Sequence, residues 1–290
     1  MIRSFATVAL ALLTITQPAS AGDRRAGGKL LLTNGVTSVE GAAGGGLATW
    51  AVVAGNETRD GIGGKASATV VALPDFDLTS FGAAIGVNDR LELSYTRQRF
   101  DTRAAGTALG LGRGFTFGQD VFGAKLRVIG DAVWDQDSWL PQIAIGVQHK
   151  RANRGVVIRA VGGQHDRGTD FYVAATKVVL SRSLVLNATL RATKANQFGL
   201  LGFGGDRHDR YRPQVEGSAG VMLSPRLAVG VEGRSKPSNL RFAREQKALD
   251  AFAAWAIARN VSLTAAYVDL GDIATVRRQR GAFLSVQGSF

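Results

Sequence analysis

The chain has 290 residues, no cysteine, and 35 Lys and Arg against 23 Asp and Glu, a net charge of +12. Without thiols, disulfide and thiolate chemistry are excluded. After the first twenty residues no apolar run approaches the roughly 18 residues of a spanning helix, so the 45% hydrophobic content is carried by alternation and mean hydropathy stays near zero at +0.04.

In chain order, Arg3, the apolar run from Phe5 to Ile15 and the break Pro18-Ala19-Ser20-Ala21 read as a secretory signal peptide over residues 1–21. Export makes nucleic acid a poor partner for the excess positive charge, since the basic residues are scattered and not clustered on a helix. Lipopolysaccharide phosphates or a small anionic solute in a lumen suit the compartment better. Residues 22–65 are glycine-rich, with two strand-like runs, Lys29 to Thr33 and Leu47 to Val53, separated by Gly44-Gly45-Gly46. They are expected to form either a plug inside a lumen or an extra strand pair.

Over residues 66–290, alternating segments of about ten residues recur, the length of a tilted membrane strand. They fall near 66–73, 78–87, 90–99, 119–129, 139–149, 170–180, 183–193, 213–223, 226–235, 249–257, 260–268 and 281–290. The pattern predicts an all-β, antiparallel transmembrane barrel of about 12 strands, or 14 if the N-terminal region adds a hairpin. Leu91, Leu93 and Tyr95 alternate with Glu92 and Ser94, and Leu184, Leu186 and Leu190 with Asn187, Thr189 and Arg191. Short turns at Asn88-Asp89, Ser181-Arg182, Ser224-Pro225 and Ala258-Arg259 alternate with longer loops. That asymmetry matches short periplasmic turns and long external loops. Two connections fit it less well: 74–77 is short for an external loop and 130–138 long for a turn. Trp134, Trp139, Trp255, Tyr95 and Tyr267 lie near strand ends, where aromatic girdles sit.

The inward parity nominates Arg90, Glu92, Lys125, Arg127, Arg191, Glu216, Glu232 and Arg234 as lumen-lining residues. Their mixed charges either pair across the lumen or line a narrow anion-favouring path. No cofactor or metal is expected, since the acidic groups at Asp131, Asp135, Asp137 and Asp206 to Arg210 lack the glycine-containing spacing of a calcium loop. The chain is expected not to be an enzyme. The alternative is an outer-rim hydrolase built on His149 or His165. The last strand ends on Phe290, and it resembles the terminal strand of bacterial outer-membrane barrels, whose final aromatic is the signal read by the barrel assembly machinery. It places the protein in the outer membrane of a Gram-negative bacterium, as a narrow channel or export component, or else as a plugged structural or recognition barrel.

Five stretches carry a family resemblance: Gly28 to Thr33, Val39 to Gly46, Gln98 to Asp101, Asp135 to Pro141, and Thr193-Lys-Ala-Asn-Gln-Phe-Gly-Leu-Leu-Gly-Phe-Gly-Gly205. Together they resemble a proteobacterial family of unknown function numbered 3034, over nearly the whole mature chain. The resemblance implies an exported outer-membrane-type barrel and brings no catalytic residues with it. The basic tracts at Arg151 to Arg167 and Arg277-Arg-Gln-Arg280 depart from the family pattern.

Overall fold

The computed structural model describes residues 29–290 apart from 34 and 58, so the signal-peptide expectation for residues 1–21 lies outside the described residues. Twelve strands close into one antiparallel barrel. In chain order they are β1 (Ile62–Ala72), β2 (Asp77–Val87), β3 (Leu91–Asp101), β4 (Thr116–Ile129), β5 (Gln142–Ala152) and β6 (Arg167–Val179). They continue with β7 (Leu184–Thr193), β8 (Arg212–Ser224), β9 (Leu227–Arg234), β10 (Ala248–Ala258), β11 (Val261–Asp269) and β12 (Arg280–Ser289). Each strand pairs with its sequence neighbours, and β12 closes the cylinder on β1 from Ala282 opposite Ala72 to Ser289 opposite Lys65. Closure leaves no sheet edge, so every ladder group finds a partner without water.

The sequence forms this sheet because the side-chain period is two. In β3 each even-numbered residue from Glu92 to Phe100 is buried and each odd-numbered one from Leu91 to Arg99 exposed. The outward face carries an apolar belt that includes Phe81, Leu93, Phe122, Val173, Leu190 and Val231. In a soluble protein such a belt would be an aggregation surface; on a barrel it is the lipid-facing wall. Trp134 and Trp139 in the 130–141 connection, and Trp255 and Tyr267 near strand ends, are exposed, whereas Tyr95, exposed as well, lies at mid-strand in β3 and not at the end where the sequence reading put it.

The two ends differ as the turn lengths predict. Tight connections at 88–90, 180–183, 225–226 and 259–260 lie at one end, together with Phe290, while the loops at 102–115, 153–166, 194–211, 235–247 and 270–279 crowd the other. These long loops carry two short helices, α1 (Ala105–Ala108) and α2 (Gly155–Ala160). The two irregular connections now have reasons. Residues 73–76 make a tight turn closed by the Leu73 N–H on the Phe76 carbonyl at 2.9 Å, with Phe76 buried in the apolar core under the long loops. Residues 130–141 fold across the opposite mouth, where Ala132 and Val133 are buried against Trp50, Val52, Val178 and Val185.

The 14-strand alternative does not form. In the N-terminal region, Val36–Thr37 pairs with Ala43–Gly44, Gly44 also bridges to Thr49 of the same segment, and this small two-stranded piece is separate from the barrel sheet.

A barrel with all twelve strands closed in this way should resist unfolding in cold detergent. Unheated and boiled samples are therefore expected to migrate differently on a denaturing gel, and one position for both would contradict closure.

Candidate functional site

Every described residue from Gly35 to Gly55 is buried, and this segment lies inside the barrel. It has little regular structure of its own, so its peptide groups must find partners elsewhere. The inward side chains of the barrel supply them. Glu232 accepts the Leu47 and Ala48 N–H groups at 2.8 and 3.3 Å, Glu216 accepts that of Thr49 at 2.8 Å, and Glu92 accepts those of Ala43 and Ala54 at 3.2 and 2.9 Å. Lys125 donates to the Ala43 and Val52 carbonyls at 3.0 and 2.7 Å, Gln98 to that of Val39 at 2.6 Å and Gln142 to that of Ala51 at 2.7 Å. The glycines allow this approach: a Cβ at Gly45 would lie 1.4 Å from Glu232 Oε1.

At the centre is a closed ring of alternating charge. Glu40 of the inner segment pairs with Lys150, and Lys150 with Asp170 at 2.7 Å; Asp170 lies 3.5 Å from Arg191, which pairs with Glu216. Glu216 lies 3.2 Å from Arg234, whose Nη1 returns to Glu40 at 2.7 Å. Three cations meet three carboxylates, so the ring is neutral. Its barrel members come from β5, β6, β7, β8 and β9, and none of their side chains is more than 4% exposed. Buried this deeply, each charge is tolerable only because its partners are in place.

Most of the residues nominated by alternation lie in this interior: Glu92, Lys125, Arg191, Glu216, Glu232 and Arg234 are all buried. Arg127 lies at the short-turn rim, 2.8 Å from Asp89 and 3.3 Å from Asp131. Arg90 is a correction: it is exposed in the 88–90 turn and outside the lumen, because Asn88 and Asp89 adopt positive φ and the strand begins only at Leu91. Lys150 and Asp170 share the inward parity of Gln148 and Tyr172, so continuing the alternation by two residues identifies them. Glu40 had no such signal, because its partners are 110 and more residues away.

The other polar clusters are accounted for locally. Asp131 accepts the Val133 and Trp134 N–H groups at 3.0 and 2.9 Å, Asp206 accepts that of Arg241 at 2.9 Å, and Asp209 pairs with Lys194 at 3.1 Å. His149 is exposed on the outward face of β5, 3.0 Å from Thr169 Oγ1, whereas His165 lies in a long loop 4.0 Å from Asp209, so no hydrolytic constellation joins them. Phe290 is exposed, and its carbonyl accepts the Asn56 and Gly64 N–H groups at 3.0 Å each.

Residues 33–287 match a family described as "Protein of unknown function (DUF3034)". The chain belongs to this family. Among curated proteins, none matches its sequence. Solved porins share the architecture. The KdgM porin matches with a TM-score of 0.50 at 9% identity, over 78% of this chain and 99% of the porin. The NanC porin matches with a TM-score of 0.51 at 9% identity, over 78% and 98%. A KdgM porin in complex with disordered oligogalacturonate gives 0.51 at 10% identity, over 78% and 99%. At these identities the likeness is one of fold: an outer-membrane, porin-like barrel.

Two expectations arise from the network. Changing Glu40 to Gln removes the carboxylate shared by Lys150, Arg191 and Arg234. It is expected to cost about 3 kcal/mol, read as lost hydrogen-exchange protection at Leu47, Ala48 and Thr49. Near the short-turn end, burial pushes the Glu57 carboxyl up from 4.5 to about 7, while Lys29 at 3.3 Å pulls it down. The folded state thus holds this proton more tightly than the unfolded one, so stability falls as pH rises from about 4.5 through about 7. Limited proteolysis around residues 53–60 should quicken across that window, and a flat profile would contradict the assignment.

Proposed function

We propose that this protein is an outer-membrane channel whose lumen is closed at rest by its own segment from Gly35 to Gly55. The observation that carries the reading is how the interior is filled. A small barrel can be filled by its own side chains, but here a separate length of chain occupies the lumen. It is held through reversible hydrogen bonds to its backbone and a neutral ion ring. Such a segment can leave without unfolding the wall, because the ladder of twelve strands does not include it. The porin architecture supports a conducting role, and one of the matched porins was solved with an oligogalacturonate.

An anion preference is not supported by this interior. The ring is neutral, and Glu92 offsets Lys125 at 3.1 Å. The surplus positive charge includes exposed Arg113, Arg151, Arg159, Arg207, Arg277 and Arg278 at the long-loop end. In the outer membrane these would face lipopolysaccharide phosphates, which gives the net charge of the chain a partner outside the lumen.

Planar-bilayer recording tests the reading. The full chain is expected to give little steady conductance, and a variant lacking residues 36–54 a stable open level. If that variant keeps heat-modifiable migration and conducts no better, the protein is a closed structural barrel.

A further inference from the structure

Above the inner segment, under the long loops, lies an apolar cavity of about 120 Å³. Its floor includes Val39 and Leu47 of the inner segment, and Phe76, Phe100, Phe117 and Phe283 stand on the surrounding wall. Leu109, Leu111 and half-exposed Phe242 belong to the loops that form its roof. Well-packed interiors leave few voids larger than a water molecule, so a hollow of this size at the centre of the largest apolar cluster is a feature to explain.

The lining specifies the guest. Thr102 and Gln197 are its polar residues, and both are already engaged: the Thr102 hydroxyl donates to the Phe115 carbonyl at 2.8 Å, and Gln197 donates to the Asp272 carbonyl at 3.2 Å and accepts from Lys236 at 3.3 Å. No polar side chain in the wall is left to replace the hydration of a charged or sugar-like solute. An apolar void of roughly 150 Å³ stays dry and binds benzene, and the volume here is of that order.

The backbone around Phe198 is built for this position. Gln197 and Phe198 both adopt positive φ, at 44° and 59°, a conformation that non-glycine residues hold only when their surroundings enforce it. Phe198 lines the cavity, while its ring also lies 4.6 Å from the Arg234 guanidinium and 5.4 Å from the Lys236 ammonium. Its carbonyl accepts from Gln119 at 3.2 Å and Lys150 at 3.4 Å. The cavity wall therefore touches two members of the ion ring, and its floor residue Val39 adjoins a third, Glu40.

We infer that this cavity is a binding site for a small, uncharged hydrocarbon of monoaromatic size, taken up from the long-loop side. Onward passage of the guest, once the inner segment yields, rests on the channel reading; binding itself does not require it.

Fluorine NMR of fluorobenzene added to the full-length protein in lipid nanodiscs, with empty nanodiscs as the partition control, should show a saturable bound fraction that toluene displaces. Leu111→Trp and Val157→Trp fill the hollow from external loops and should each weaken that binding at least about tenfold while heat-modifiable migration is retained. A bound fraction no larger than in empty nanodiscs, or one unchanged in folded variants, overturns the site. A second measurement needs no variant: nuclear Overhauser contacts from toluene should reach the methyl groups of Leu47, Leu201 and Leu270. Contacts confined to outward-facing Leu93 and Leu186 would overturn the site equally. Conductance separates the two readings. Binding by the full-length protein, with no conductance from the variant lacking residues 36–54, keeps the site and removes the channel; conductance from that variant, with no binding by the full-length protein, does the reverse.

Discussion

The pairing of Glu40 with Lys150 and Arg234 is the contact on which the interior depends. It is where the inner segment meets a row of charges contributed by five consecutive strands. Charges removed from water this completely gain little net stability over an apolar filling, but they are intolerant of a missing partner. The ring therefore acts as a specification. The seating that brings Glu40 to Lys150, Arg191 and Arg234 also brings Leu47, Ala48 and Thr49 to the carboxylates that accept their amides.

The same constraint explains the composition of the segment. A chain in a lumen already lined by long charged side chains has room for backbone and little else, which is why Gly41 to Gly46 consists only of glycine and alanine. Trp50 is the large exception. Its indole N–H donates to Ser218 at 2.9 Å while its ring packs in the apolar cluster that closes the short-turn end. Polar locks thus hold the middle of the segment, with apolar clusters above and below it. The upper cluster is the one left partly hollow.

Phe198 joins these layers. It belongs to the Thr193 to Gly205 stretch, the longest of those that carry the family resemblance. In the fold, Asn196 donates to the Leu201 and Gly204 carbonyls at 3.3 and 2.9 Å, which bends the stretch so that Phe198, Leu200 and Leu201 face the hollow. An apolar binding surface and a buried ion ring are thereby built on opposite sides of one residue.

Much of this is legible in the linear sequence. The period-2 alternation in β3 and β7 reports which side of the wall each residue occupies, because a strand enforces that alternation whatever surrounds it. The lengths of the connections gave the two ends, and the inward parity found Arg191, Glu216, Glu232 and Arg234. Arg90 shows the limit, since parity says nothing about where a strand begins, and two residues with positive φ in the adjoining turn place Arg90 outside. The linear pattern also offered the N-terminal segment two fates, extra strands or an occupant of the lumen. Its backbone has no preference between them, and the choice rests on carboxylates and amines contributed by strands up to 194 residues away along the chain. By itself the sequence determined the twelve-stranded wall, its apolar and polar faces and its two unlike ends, all of which arise from local periodicity and turn chemistry. Only the tertiary structure decided what fills the interior, because ion pairs and a cavity depend on distances between residues that closure of the barrel alone brings together.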